Sequence, residues 1–250
     1  MRVVQLDRLY PRPGQSTPEE MTSGLDLGSR APRGRPYLVL NMVTSIDGKA
    51  AADGHTRGLS SPVDRLVFHG LRTQADAILV GAGTARAERY GRATKSDALR
   101  SRREQEGLEP EPLTVIVSGR LDLGADLPIL QEPDAKVVIA TGADHEIEGT
   151  AAQITYMRTG DDLQLLLARL REEHGVRSVL CEGGPTLNAF LFAAGLVDEL
   201  FSTVAPQIIG GAGALTLVAG RKLLEPARAE LVWLYAAGDE LFFRWRLPSH

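Results

Sequence analysis

The stretch "VLCEGGPTLNAFLFAAGLVDEL", residues 179–200, carries the only cysteine of the chain, Cys181, just ahead of a glycine pair. An apolar run ends at Glu182, Gly183 and Gly184. Pro185 then opens a segment in which Leu187, Phe190, Leu191 and Ala194 recur at helical spacing. The pattern predicts strand, glycine turn and helix, with those four residues anchoring the helix to a sheet. A second stretch, "AILVGAGTARAE" at residues 77–88, repeats it. In an open α/β sheet, ligands bind beyond the carboxyl ends of the strands, where helix N-termini offer free N–H groups to phosphate. Glycine lets the backbone approach such a ligand with no Cβ in the way. Either turn alone could be a tight βα connection using glycine for geometry only. Together they favour phosphate, held at two ends of a dinucleotide. The fingerprint is not the standard Rossmann one, because Arg86 stands where its third glycine belongs. A nicotinamide nucleotide bound in another fold fits better.

The flanking sequence supports an α/β sheet. "YLVLNMV" from Tyr37, "LTVIVS" and "AKVVIAT" read as buried strands, and "VDELFSTVAPQIIGG" as a strand ending in a Gly-Gly turn. Ser60 or Ser61 caps a helix with Pro62 near its start and Val63, Leu66, Val67 and Leu71 as its buried stripe. In "DDLQLLLARLREEHG", Asp161 and Asp162 mark the start of a helix, Leu163, Leu166, Leu167 and Leu170 its buried face, and Gly175 its end. "AELVWLYAAGDELFFRWRL" predicts a C-terminal antiparallel hairpin. "VVQL" suggests a short first strand. Residues 11–36, rich in Pro, Gly and charge, lack a hydrophobic period and read as a linker or surface arm. Residues 1–36 are thus expected as an N-terminal strand and arm, and 37–250 as a single domain.

A chain of 250 residues, 43% hydrophobic and 24% charged, is globular, and its net charge of -4 gives no reason to expect nucleic acid or a membrane as partner. One cysteine leaves no disulfide framework or multi-cysteine zinc site, and no histidine spacing suggests a metal. With charges at Arg2, Asp7 and Arg8 and no long apolar run, the expected location is cytoplasmic. Cys181 is either a thiolate nucleophile before a helix or a small buried hydrophobe, the commoner case. Asp47 and Lys49, after a buried strand, could orient a polar substrate; Asp47-Gly48 could equally be a turn.

Four blocks, "NMVTSIDGKAA", "SSPVDRLVFHGLRTQADAILVGAGTARAE", "LTVIVSGRLDL" and "VLCEGGPTLNAFLFAAGLVDELFSTVAPQIIGG", resemble in order the reductase domain of bacterial riboflavin biosynthesis, over residue 37 to the C-terminus. The resemblance implies a dihydrofolate-reductase-like fold, with a mostly parallel central sheet flanked by helices and the C-terminal hairpin antiparallel. It implies a homodimer, in single-domain form without the family's zinc deaminase domain. The implied reaction uses NADPH to reduce the ribosyl group of 5-amino-6-(5-phosphoribosylamino)uracil to ribityl. Lys49 and Glu182 are the implied catalytic residues, with Asp47, Thr56, Arg72 and Glu182 on the substrate. Val43, Gly81, Gly83, Thr84, Glu88, Ser118, Gly183, Gly184, Pro185, Thr186 and Leu187 are implied to hold the cofactor. Arg120 either selects the 2′-phosphate or is a solvated charge. Cys181 packs in this reading. Two places depart from the family: Glu88 replaces an aspartate with Arg89-Tyr90 in place of Asp-Pro, and Gly58-Leu59 stands where others carry Ile-Thr. Both sit where substrate is expected, so a pterin or dihydrofolate reductase, or a non-catalytic NADP-binding module, is the alternative.

Overall fold

The computed structural model describes residues 4–51, 58–211, 215–220 and 222–248. The chain opens with strands β1 (Leu6–Tyr10) and β2 (Gly14–Ser16) and one helical turn, α1 (Pro18–Met21). There follow β3 (Tyr37–Ser45), α2 (Pro62–Arg72), β4 (Ala77–Gly81), α3 (Ala82–Ala87), α4 (Asp97–Gln105) and β5 (Leu113–Val117). The second half carries β6 (Lys136–Ala140), β7 (Gln153–Met157), α5 (Leu163–His174), β8 (Ser178–Cys181), α6 (Pro185–Ala193), β9 (Glu199–Ala205), β10 (Glu230–Ala237) and β11 (Glu240–Arg246).

All the strands join one 11-stranded sheet in the order β2-β1-β10-β11-β9-β3-β8-β4-β5-β6-β7. From β9 to β7 every pairing is parallel, and from β9 back to β2 every pairing is antiparallel. The expected α/β class, mostly parallel sheet and antiparallel C-terminal hairpin are present. Parallel strands covered on both faces must be apolar throughout, and β8 is buried at every position. Alternate residues supply two cores. Val39, Ile78, Val80 and Leu180 face α2 residues Val67 and Leu71, whereas Leu40, Leu79, Val179 and Cys181 face α5 and α6 through Leu167 and Leu191.

Several local expectations need correcting. The first strand begins at Leu6, the last residue of "VVQL", and runs on to Tyr10. Residues 11–36, read as a linker or surface arm, pack against the domain: β2 adds an edge strand, Thr17 and Glu20 close a capping box on α1, and Met21, Leu25 and Leu27 are buried. Gly70 permits this, since a Cβ there would collide with the Thr22 side chain packed on α2. Irregular backbone hides such burial from a periodicity reading. In α2, Ser61 is the cap and Leu66 is exposed, so its buried face runs through Asp64, Val67 and Leu71 instead. In α6, Phe190 and Ala194 are exposed while Leu187, Asn188, Ala189 and Leu191 are buried. Helix α4 lies inside the charged region after α3, and β7, an edge strand buried only at Met157, completes the parallel side of the sheet. Among the described residues no helix is long and apolar enough to cross a membrane.

Candidate active site

Strands β4 and β8 lie side by side with Leu79 opposite Cys181, so the two glycine turns emerge together. They are tied to each other. Gly81 N donates to Gly183 O at 2.8 Å, and Glu182 N to Leu79 O at 2.9 Å. Gly183 has a φ of 86°, the left-handed region that favours glycine, and a Cβ on it would also press on Met42 Sδ. Beyond the turns start α3 and α6, with Gly81 and Gly184 as N-caps and no side-chain cap on either. Helices α1, α2, α4 and α5 are capped by Thr17, Ser61, Ser96 and Asp162. Among the α-helices of the described residues, those whose first-turn N–H groups lack a side-chain cap are therefore the two at the paired turns. That donor set fits the pyrophosphate of a dinucleotide.

In front of the turns lies a cleft of about 620 Å³ between α2, β3 and the segment after α3. At its heart the last residue of α2, Arg72, grips the first residue after β8. Its Nε donates to Glu182 Oε1 at 2.6 Å and its Nη2 to Oε2 at 2.8 Å. Tyr90 OH donates to the same Oε2 at 2.9 Å, and Arg72 Nη1 reaches Ala93 O at 3.1 Å. The Arg72 guanidinium lies 4.2 Å from the centre of the Phe68 ring. Arg72 and Glu182 side chains are each 6% exposed, so the pair is a buried, forked ion pair. Burial holds the Tyr90 hydroxyl well above its ordinary pKa, keeping it a neutral donor. His69 also lines the cleft, with Nδ1 buried and without a partner among the described residues. Burial, then the charges of Arg72 and Lys95, draw its pKa down to about 4. Its imidazole is neutral at physiological pH.

The expected site residues divide by position. Val43, Arg72, Thr84, Glu88, Glu182, Gly184 and Pro185 line the cleft. Gly81 and Gly183 form the turns behind it, and Gly83 is exposed on the first turn of α3. Leu187 is buried beneath α6, and Thr186 lines a separate groove of about 1080 Å³ on the far flank of that helix. Ser118 is buried just past β5, whose Val117 pairs with Gly81, and Arg120 is exposed nearby. Lys49 is half-buried beside the lining residues Ala50 and Ala51. Asp47 stands outside the cleft. It accepts from Ser45 Oγ, Ile209 N and Gly210 N, which hold its pKa down at about 2 and clamp the loop after β9. Thr56 lies outside the described residues. Cys181 is fully buried, and burial pushes its thiol up to about 12, so it is no nucleophile.

Tyr90, Phe68, His69 and Asp64 escaped the sequence reading. Tyr90 carried a signal, since it occupies the departure "RYG" just after α3. Asp64 and Phe68 share with Arg72 the α2 face of period four, but an acid and an aromatic on a helix suggest nothing until the opposite wall is known.

Residues 36–243 match the family model of the RibD C-terminal domain. The chain is 32% identical over 205 residues to the 2,5-diamino-6-ribosylamino-4(3H)-pyrimidinone 5′-phosphate reductase of Archaeoglobus fulgidus, covering 79% of this chain and 93% of that protein. It is 35% identical over 180 residues to the riboflavin biosynthesis protein RibD of Mycobacterium tuberculosis, covering 71% of this chain and 44% of the other. The crystal structure of a pyrimidine reductase-like protein from Corynebacterium diphtheriae superposes with a TM-score of 0.77 at 23% identity, covering 94% of this chain and all of that one. That structure shares the fold.

Proposed function

The chain belongs to the RibD C-terminal domain family, and on that premise we propose that it is an NADPH-dependent reductase that converts the ribosyl group of a 6-ribosylaminopyrimidine 5′-phosphate to ribityl. The observation that carries this reading is the Glu182 carboxylate, fixed by Arg72 and Tyr90 directly in front of two uncapped, mutually bonded glycine turns. A reacting sugar and a dinucleotide are thereby brought to one place.

Backbone N–H groups at Gly83, Thr84 and the start of α6 would hold the pyrophosphate, with Val43 and Pro185 along the cleft wall. The chemistry NADPH supplies when bound is a hydride for C1′ of the ring-opened imine of the substrate. Glu182, acceptor-only and unable to swing away from Arg72, orients the sugar hydroxyls so that C1′ presents one face. Lys49, on the turn beside Ala50 and Ala51, delivers the proton that the imine nitrogen takes as C1′ is reduced. The walls formed by Met42, Phe68 and Pro185 exclude the water that would hydrolyse the imine.

The substrate expected from the sequence is 5-amino-6-(5-phosphoribosylamino)uracil. The archaeal relative is named for the 2,5-diamino-pyrimidinone counterpart, which carries the same ribosyl group. The test is loss of NADPH absorbance with purified protein, offering both pyrimidines and, in parallel, dihydrofolate. Turnover of a pyrimidine with little on dihydrofolate is the expected result. Preference for dihydrofolate, or no oxidation with any of them, overturns the assignment.

A further inference from the structure

The cleft holds a second carboxyl group with surroundings unlike those of Glu182. Asp64 lies two turns before Arg72 on the same face of α2, is 6% exposed, and lines the cleft. Ser60 Oγ donates to its Oδ2 at 2.6 Å, and Thr203 of β9 supplies a second hydroxyl. Glu182 is neutralised by Arg72, and the buried Glu199 by Arg244. Asp64 makes no ion pair among the described residues. The group behind it is another acid, Glu240, which Ser61 binds at 2.6 Å and whose Oε1 is buried without a partner among the described residues. Arg92 and Lys95 also line the cleft, so it carries positive as well as negative groups.

Burial raises the pKa of Asp64 against the pull of the Ser60 and Thr203 hydroxyls, so its carboxyl is short of donors and keeps lone pairs to spare. A ligand bringing two adjacent N–H donors therefore gains most from it. Eight residues of helix separate Asp64 from Arg72, about 12 Å. A pyrimidine ring fits in that interval with its sugar at Glu182.

We propose that Asp64 is a specificity-determining residue that reads the base of the substrate and selects a 2-amino-4(3H)-pyrimidinone over a uracil. The aminopyrimidinone presents N3–H and the 2-amino group side by side, a bidentate match for a carboxylate. A uracil presents N3–H beside the C2 carbonyl, whose lone pairs face those of Asp64. The inference rests on the reductase reading above, and it departs from the uracil that the sequence suggests.

The test measures calorimetric affinity and NADPH oxidation with the 2,5-diamino-6-ribosylamino-4(3H)-pyrimidinone 5′-phosphate and with its uracil counterpart, in wild type, Asp64→Asn and Asp64→Ala. Wild type is expected to bind the diamino compound at least about tenfold more tightly. Asp64→Asn, whose amide offers one acceptor and one donor, is expected to reverse the order, and Asp64→Ala to abolish it. Equal affinities in wild type, a preference for uracil, or a wild-type preference that survives in both variants overturns the inference. A wild-type preference by itself requires no variant to fold, and melting curves report whether each variant does. Selective binding with no NADPH oxidation would refute the reductase reading and uphold the role of Asp64. Oxidation with both compounds at equal affinity would do the opposite.

Discussion

Arg72 and Glu182 stand 110 positions apart in the chain and meet through hydrogen bonds of 2.6 and 2.8 Å in a site where each is 6% exposed. One comes from the end of α2 and the other from the end of β8. The pair therefore welds a helix on one face of the sheet to the glycine turn at its carboxyl edge. A buried ion pair adds little net stability, but removing one partner strands the other. Its value here is orientation.

Arg72→Ala is expected to cost about 3–5 kcal/mol, because Glu182 is left charged and buried. Arg72→Lys keeps the charge without the fork and should fall between that variant and wild type. Glu182→Gln keeps the shape and should lower kcat/KM by roughly 100-fold or more with the fold retained. Thermal melts and steady-state kinetics on the three proteins check this. Wild-type turnover in Glu182→Gln would remove Glu182 from the mechanism.

Much of the frame was legible because parallel strands and glycine turns leave local marks. Gly81, Gly183 and Gly184 could be placed at strand ends from their own neighbours. The role of Asp47 could not, because its partners Ile209 and Gly210 lie 162 and 163 residues away. The same holds for Tyr90, whose hydroxyl acquires meaning only when β8 delivers Glu182 to it. Residues 11–36 failed for a different reason: their burial follows no period, so Met21 and Leu27 look like loop residues until the sheet is assembled.

Gly83 separates cofactor binding from stability. It lies within α3, is exposed, and a Cβ on it would meet nothing within 4 Å. Gly83→Ala should therefore stabilise the protein by up to about 1 kcal/mol through helix propensity. If the first turn of α3 holds pyrophosphate, the added methyl should also weaken NADPH binding. A raised Tm together with a raised Kd for NADPH is the expected pair of results. A raised Tm with unchanged affinity would move the pyrophosphate off this turn.

Glu199 should matter for the fold and not for the cleft. It is fully buried in β9, accepts from Arg244 at 2.7 Å and from Arg30 at 3.1 Å, and so ties the N-terminal segment to the antiparallel strands. Glu199→Ala leaves the Arg244 guanidinium buried without its carboxylate, at an expected cost of about 3–5 kcal/mol. Chemical denaturation should show the loss. NADPH affinity of the folded fraction should stay at the wild-type value.

His69 predicts how stability depends on acid. Its ordinary pKa of 6.5 falls to about 4 in the folded protein, through burial first and then the charges of Arg72 and Lys95. The folded state thus resists protonation that the unfolded chain accepts. The contribution is fully present above 6.5 and is lost as pH drops from there toward 4. For a half-buried ring the loss is on the order of 2 kcal/mol once solvent screening is allowed for. Asp64 and Glu240, whose carboxyls are raised by burial, titrate in the opposite sense, so wild type alone does not isolate the effect. His69→Gln does, because it removes the titration and keeps a polar side chain on the cleft wall. Relative to wild type, the variant should gain stability as pH falls from 7 to 4.5, judged by the difference in denaturation midpoints. A difference that stays constant across that range would mean the imidazole is not held neutral by its surroundings.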